Sequence, residues 1–191
     1  MIDLSNIKDF TTEKPSGWSL LGDEKEFDKL PEPHKQQIYF LDDMATKFIY
    51  EFLGNAHILT GEPYDPFAKK NFKTVERFSY FTNTQEGTHD LKKWLYQRGI
   101  PFRALVYVLP MYDNFPILTN WKMVIKYAAD FFIHDDITVF DNTLNWCLYY
   151  HHDNYLLFGK NNIYDSAEDE KMMKDALERR KKFPGYKPPY Y

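Results

Sequence analysis

The chain has 191 residues, of which 43% are hydrophobic and 27% charged, a composition typical of one globular domain with a sizeable core. Its formal net charge of −4 argues against non-specific nucleic-acid binding, which depends on a basic surface. The single cysteine, Cys147, excludes an intramolecular disulfide and a cysteine-based zinc site, and no segment approaches the roughly 18 apolar residues of a membrane span. The polar, acid-containing N-terminus is unlike a signal peptide, so the expected location is the cytoplasm.

The first third of the chain predicts an arm, a long helix and a loop. Residues 1–30 show little periodicity and are expected to form an irregular arm. Apolar residues then recur at helical spacing from Leu41 to Leu53, and Gly54 supplies a C-terminal cap. This pattern predicts a helix over residues 33–53, followed by a loop.

The middle of the chain alternates between strand and helix signals. The predicted elements, in chain order, are a strand over 72–82, a short helix from Thr88 to Gly99, a central strand over 102–109, a loop over 111–118, a helix capped by Thr119, and a short strand over 137–140.

An aromatic β-hairpin is the strongest signal near the C-terminus. Asn145–His151 and Tyr155–Phe158 alternate as strands, and the polar residues 152–154 between them are typical of a turn. Gly159 and Asn161-Asn162 are expected to end the hairpin. A capping pattern at Ser166 then predicts a helix over 166–182.

Together these elements predict a single α+β domain over residues 1–191. It has an irregular N-terminal arm (about 1–30) and an irregular C-terminal tail (about 184–191). The expected architecture is a mixed or antiparallel sheet of about 4–5 strands with 4 helices packed on it, ending in a C-terminal hairpin and helix.

Thiol catalysis is the most obvious reaction to test against the hairpin sequence. Cys147 and His151 share a strand face, but four residues of extended chain place them roughly 13 Å apart. A nucleophile and its base need about 3 Å. Cys147 is therefore interpreted as a small buried core residue.

Metal binding is the second chemical interpretation. Histidine and aspartate can ligate zinc or manganese, but neighbouring strand residues such as His151 and His152 point to opposite faces unless the turn rotates one of them. No standard metal-ligand spacing is present, and the leading interpretation needs no cofactor. The candidate ligands are His134, Asp136, His151 and His152, and they support a small metal-dependent hydrolase as the alternative function.

Protein binding is the favoured interpretation. Surplus aromatic residues on or beside the predicted sheet, surrounded by acidic loops, are what a partner with a basic surface would contact. The candidate binding residues are Tyr107, Tyr112, Asp113, Phe115, Asp135, Asp136, Tyr149, His151, Asp153 and Tyr155.

The chain matches no motif of a family. In its size, its acidity and its lack of a catalytic signature, it resembles the small cytoplasmic immunity proteins that neutralise bacterial toxins. This resemblance implies a non-enzymatic inhibitor of a basic toxin, such as a nuclease, and it assigns no site residue. The sequence does not indicate an oligomeric state.

Overall fold

The computed structural model describes residues 2–19, 21, 24–55, 67, 71–79, 84–111, 115–133, 136–163, 178 and 181–182. Its strands are β1 (Thr11–Thr12), β2 (Tyr39–Leu41), β3 (Phe72–Ser79), β4 (Leu105–Pro110), β5 (Ile117–Asn120), β6 (Ile137–Phe140), β7 (Trp146–His151) and β8 (Tyr155–Asn162). Its α-helices are α1 (Glu24–Lys29), α2 (Glu32–Lys35), α3 (Asp43–Asn55), α4 (Gln85–Tyr96), α5 (Trp121–Lys126) and α6 (Ala128–Phe131).

All eight described strands belong to one sheet in the order β1-β2-β5-β4-β6-β7-β8-β3, and every neighbouring pair is antiparallel. The centre, β4, β6 and β7, is almost entirely buried because the sheet is covered on both faces. The last described strand at one edge is β3, and most of its residues are exposed.

The predicted sheet of about 4–5 strands with 4 helices is wrong, because the described residues form eight strands and six α-helices. Three of the unpredicted strands, β1, β2 and β5, have only two to four residues. Such strands are too short to show alternation, and both partners of β2 are distant in the chain. Tyr39, for example, pairs with Leu118.

The predicted helix over 33–53 divides into α2, β2 and α3. Its central residues form β2 because they pair with β5, and Asp42 then begins α3 by accepting a hydrogen bond from the backbone N–H of Ala45 at 2.8 Å. The apolar stripe is nevertheless used in the core, where Ala45, Ile49 and Leu53 are fully buried.

Two predicted helix caps are displaced along the chain. Thr84, and not Thr88, caps α4 by accepting a hydrogen bond from the N–H of Gly87. Asn120, and not Thr119, caps α5. Thr119 lies in β5, where its hydroxyl donates to the carbonyl of Gln37 at 2.8 Å.

The predicted hairpin is present as β7 and β8, which pair from Trp146 opposite Lys160 to His151 opposite Tyr155. Gly159 does not end it, whereas the predicted end at Asn161-Asn162 agrees with β8, which runs to Asn162 and pairs with β3 on its other side. The predicted helix over 166–182 and tail over 184–191 lie outside the described residues, apart from Glu178, Lys181 and Lys182.

The sheet separates two clusters of buried side chains. One cluster lies under α4, α5 and α6 and includes Trp121, Leu148 and Tyr150. The other lies under α3 and includes Cys147 and Tyr149. The alternation of β7 therefore sends its odd and even residues into different cores. None of the described helices has the length and apolar character needed to cross a bilayer.

Candidate functional site

The tip of the hairpin brings together the side chains of Asp136, His151 and His152, which we call the tip cluster. Asp136 directly precedes β6, and Ile137 pairs with Tyr150 on β7. This register places Asp136 beside the end of β7, where His151 and His152 enter the turn. Each of the three residues offers one ligand atom within 4.8 Å of the other two.

Asp136 is the buried centre of the tip cluster, with only 2% of its surface exposed. Its Oδ2 accepts a hydrogen bond of 2.7 Å from the Tyr149 hydroxyl, and its Oδ1 accepts one of 2.8 Å from the backbone N–H of His152. The Nδ1 of His152 lies 2.8 Å from the same Oδ1. A buried carboxylate is tolerated because these donors replace water.

These contacts set the charge state of Asp136. Burial by itself raises the pKa of the carboxyl, but hydrogen bonds from Tyr149 and from the backbone and side chain of His152 outweigh that effect. The pKa therefore lies below its ordinary value of 3.8, and Asp136 is ionised at neutral pH. An ionised carboxylate only accepts hydrogen bonds, so the Nδ1 of His152 carries the proton that it shares with Asp136.

The two histidine rings stack and do not point to opposite faces. Their centroids lie 4.2 Å apart, and the Tyr155 ring stacks on the other side of His151 at 4.7 Å. The expectation that these histidines diverge is wrong because the chain turns after His151, with Asn154 in the left-handed region at φ 62°. The stack continues to the Arg77 guanidinium, which lies 4.0 Å from the Tyr155 ring.

Access to the tip cluster comes from the side of the turn. His152 is half exposed and His151 is mostly buried, whereas Asp153 presents 72% of its side chain to solvent. The Asp153 carboxylate lies 3.6 Å from Nδ1 of His151 and 4.0 Å from Nε2 of His152. The backbone N–H of Asp153 also donates to His151 Nδ1 at 3.1 Å. Among the residues that the structure describes, Asp153 is thus the exposed carboxylate that lies within 4.0 Å of both rings.

The predicted binding residues fall into three groups. Tyr107 and Tyr149 are core residues, each about as buried as Asp136. Phe115 is half-buried beside the first core cluster. Asp136, His151, Asp153 and Tyr155 meet at the tip, whereas Tyr112, Asp113, His134 and Asp135 lie outside the described residues.

Cys147 is fully buried among the side chains of the second core cluster, and its thiol donates a weak hydrogen bond to the Leu148 carbonyl at 3.8 Å. This position agrees with the core interpretation of the sequence.

Sequence reasoning missed Arg77 as a neighbour of the tip cluster. Arg77 lies on β3, opposite Leu157 of β8, and reaches Tyr155 from there. The only sequence signal was a strand pattern over 72–82, which does not reveal the strand that it pairs with.

Comparisons with known proteins place the chain in no family. No family model, no curated protein and no solved structure matches it.

Proposed function

We propose that the protein binds a divalent transition-metal ion at the tip cluster and acts as a small metal-dependent hydrolase. The observation that carries this proposal is the convergence of a buried carboxylate and two stacked histidines within 4.8 Å. Two imidazoles and one carboxylate suit zinc, and also manganese.

The spacing of the tip cluster fits a single ion. Ligand atoms at about 2.0–2.2 Å from one tetrahedral ion lie about 3.4 Å apart, so a pair at the 4.8 Å limit needs to close by about 1.4 Å. The half-exposed ring of His152 has room for that movement. Ion binding requires an unprotonated nitrogen on each histidine ring, and three protein ligands leave a coordination position open, as in catalytic zinc sites.

The surrounding residues have supporting roles. Tyr149 and the backbone N–H of His152 hold the Asp136 carboxylate in place, as outer-shell partners of metal ligands do. Asp153 is positioned to accept a proton at the open side of the cluster. A bound ion supplies acidified water for hydrolysis.

Metal affinity of the purified protein tests the site directly. After dialysis against a chelator, zinc and manganese binding are measured by isothermal titration calorimetry on the wild type and on His152→Ala, His151→Ala and Asp136→Asn. We expect each variant to weaken binding at least about tenfold, because each removes one of three ligands. His89→Ala, which removes an exposed histidine on α4, is the matched control and should bind as the wild type does.

Two results would contradict the proposal. Saturable binding that survives all three ligand substitutions would place the ion elsewhere, and the absence of binding by the wild type would remove the site.

Hydrolysis is then assayed on chromogenic carboxylate and phosphate esters with added zinc or manganese. Asp153→Asn should retain the metal and lose most of the turnover, because it removes only the proton acceptor.

The protein-binding hypothesis, with its immunity-type role, stays a prediction. Its support now lies in Asp153 and Tyr155 at the tip, since Tyr107 and Tyr149 are buried in the core. Affinity purification from the native host tests it, and the absence of any partner at micromolar concentration would count against it.

A further inference from the structure

A pair of exposed aromatic rings lies on the α4 side of the sheet, far along the chain from the tip cluster. Tyr96 is 63% exposed and Phe102 is 47% exposed, and their ring centroids lie 5.7 Å apart at an angle of 45°. Large exposed aromatics that contact each other are typical of interaction surfaces, where tyrosine is enriched.

The backbone holds this ring pair in place. Tyr96 is the last residue of α4, and Gly99 turns the chain with a φ of 74°. The carbonyl of Phe102 accepts a hydrogen bond of 3.0 Å from the N–H of Lys122, and the N–H of Ala104 donates to Pro101 at 2.9 Å. The exposure of the rings therefore belongs to an ordered turn, which lowers the entropic cost of binding.

Three cationic residues lie beside the ring pair in the described part of the chain. Lys93 lies one helical turn before Tyr96, Arg103 follows Phe102, and Lys122 contacts the Phe102 backbone. All three side chains are exposed, and none forms an ion pair with a carboxylate in the described part of the chain. The contrast with the net charge of −4 is clear in the sequence, where residues 91–129 contain one acid, Asp113, and six cations: Lys92, Lys93, Arg98, Arg103, Lys122 and Lys126.

A cavity of about 250 Å³ opens beside the same turn. Trp146 and Phe158 supply aromatic surface, and the one carboxylate of the lining, Asp141, is engaged by hydrogen bonds from Trp146 and Thr143. The cavity can hold an apolar side chain, and its charges nearly balance because Arg98 pairs with Glu76 and Asp141 offsets Lys160. The residues that line it on the side of the turn and of β8 are Arg98, Ile100, Pro101 and Lys160.

We infer that this surface binds an acidic protein segment that carries an apolar or aromatic anchor. The rings and the cavity bury the anchor, and Lys93, Arg103 and Lys122 pair with carboxylates around it. A nucleic acid fits less well, because the net charge of −4 opposes a polyanion and the 45° tilt of the rings does not make a flat stacking platform. The surface is independent of the tip cluster.

Fluorescence polarisation with defined peptides tests this inference in the presence of a chelator, so that the metal site plays no part. The probe is a short fluorescein-labelled peptide in which Phe-Leu is flanked by runs of glutamate. We expect saturable binding that weakens with salt. Two control peptides replace Phe-Leu by Gly-Ser, or glutamate by glutamine, and both should bind more weakly.

Variants locate the surface. Tyr96→Ala combined with Phe102→Ala, and Arg103→Glu alone, should each lower the affinity about tenfold or more. Met44→Ala, which trims an exposed side chain on α3, is the matched control and should change nothing. Because the substituted side chains are exposed, unchanged circular dichroism should accompany the loss.

Three results would overturn the inference. They are a lack of saturable binding, equal binding of the Gly-Ser peptide, and variants that bind as well as the wild type. Tighter binding of a labelled oligothymidylate than of the acidic peptide would also overturn it, in favour of a nucleic-acid surface.

Discussion

At the residue scale, the Asp136 carboxylate shows how a buried charge is kept in this protein. Tyr149 is itself buried and donates to Oδ2, while His152 donates to Oδ1 from the side of the solvent. The carboxylate therefore has an apolar, rigid side and a polar, accessible side. Because the Tyr149 hydroxyl is the donor on the rigid side, it is the contact that we expect to matter most for stability.

Tyr149→Phe should destabilise the fold. The substitution removes a donor from a buried charged acceptor and leaves the ring packing intact, so the free energy of unfolding should fall by about 1–3 kcal/mol. Urea denaturation measures the change. Tyr96→Phe, at a ring that is 63% exposed, is the control and should leave the urea midpoint unchanged. A Tyr149→Phe variant as stable as the wild type would show that this hydrogen bond contributes nothing net.

The candidate site was partly predictable. Residue chemistry identified Asp136, His151 and His152, together with His134, as candidate ligands, because few other side chains bind transition metals. Their convergence was not predictable, since it depends on the pairing of β6 with β7 and on the conformation of the turn at Asn154. Both are tertiary features that strand alternation does not encode.

At the element scale, β8 depends on a residue without a side chain. An added Cβ on Gly159 would lie 2.6 Å from Cγ of Phe72 and would also overlap Phe67. Glycine is present here because two aromatic rings pack against the strand, and its role is to permit that close approach. This explains why a glycine that resembles a strand terminator lies inside a strand.

Gly159→Ala should therefore destabilise the protein by overpacking, by about 1–3 kcal/mol in the free energy of unfolding. Thermal denaturation followed by circular dichroism provides the measurement. Lys160→Ala, at the exposed next residue of β8, is the matched control and should have little effect. An alanine variant with an unchanged melting temperature would mean that the two rings can move away at no cost.

The start of α5 depends on Asn120, which has two separate contacts. Its Oδ1 caps the helix through the N–H of Met123 at 3.0 Å, and its Nδ2 donates to the Gln37 side chain at 2.8 Å. Asn120→Ala should cost about 1–2 kcal/mol in the free energy of unfolding. Asn120→Asp keeps the cap and loses the amide donor, so urea denaturation of both variants separates the two contributions. If the aspartate variant is as unstable as the alanine variant, the contact with Gln37 is the dominant one.

The elements differ in how far the sequence predicts them. The β7–β8 hairpin was predictable because its strands are adjacent in the chain and a polar turn joins them. In contrast, β2 was hidden inside a helical pattern, since Leu41 begins a periodic stripe and also pairs with β1. Local periodicity cannot reveal a strand that forms because it pairs with a distant segment of the chain.

At the scale of the whole molecule, the N-terminal segment is tied to the centre of the sheet. Ile7 is buried in the second core cluster, and the Tyr107 hydroxyl on β4 donates to the Leu4 carbonyl at 3.0 Å. Burial, with smaller contributions from the charges of Asp141 and Asp3, raises the pKa of Tyr107 to about 12. The hydrogen bond that joins the N-terminal segment to the sheet therefore requires that Tyr107 keeps its hydroxyl proton.

Stability at alkaline pH tests this tie. The pKa of Tyr107 in the folded protein exceeds its ordinary value of 10.0, so the unfolded chain loses this proton first as the pH rises. The contribution of Tyr107 to stability is complete below pH 10 and is lost as the pH rises through about 12. Relative to Tyr107→Phe, the wild type should lose on the order of 2 kcal/mol across this range. Urea denaturation at several pH values checks it, and parallel pH curves for the two proteins would contradict it.

The exposed edge strand β3 has a consequence for self-association. A second copy could extend the sheet by pairing with β3 around a twofold axis, which requires that residues on the same face lie opposite each other. Two registers pair most of the strand. In one, the twofold axis passes beside Val75, and in the other it passes beside Glu76. The first sets Lys73 against Arg77 of the other copy, and the second sets Glu76 against itself. Like charges thus oppose the longest registers of edge-to-edge assembly at β3, the last strand at this edge in the described part of the chain.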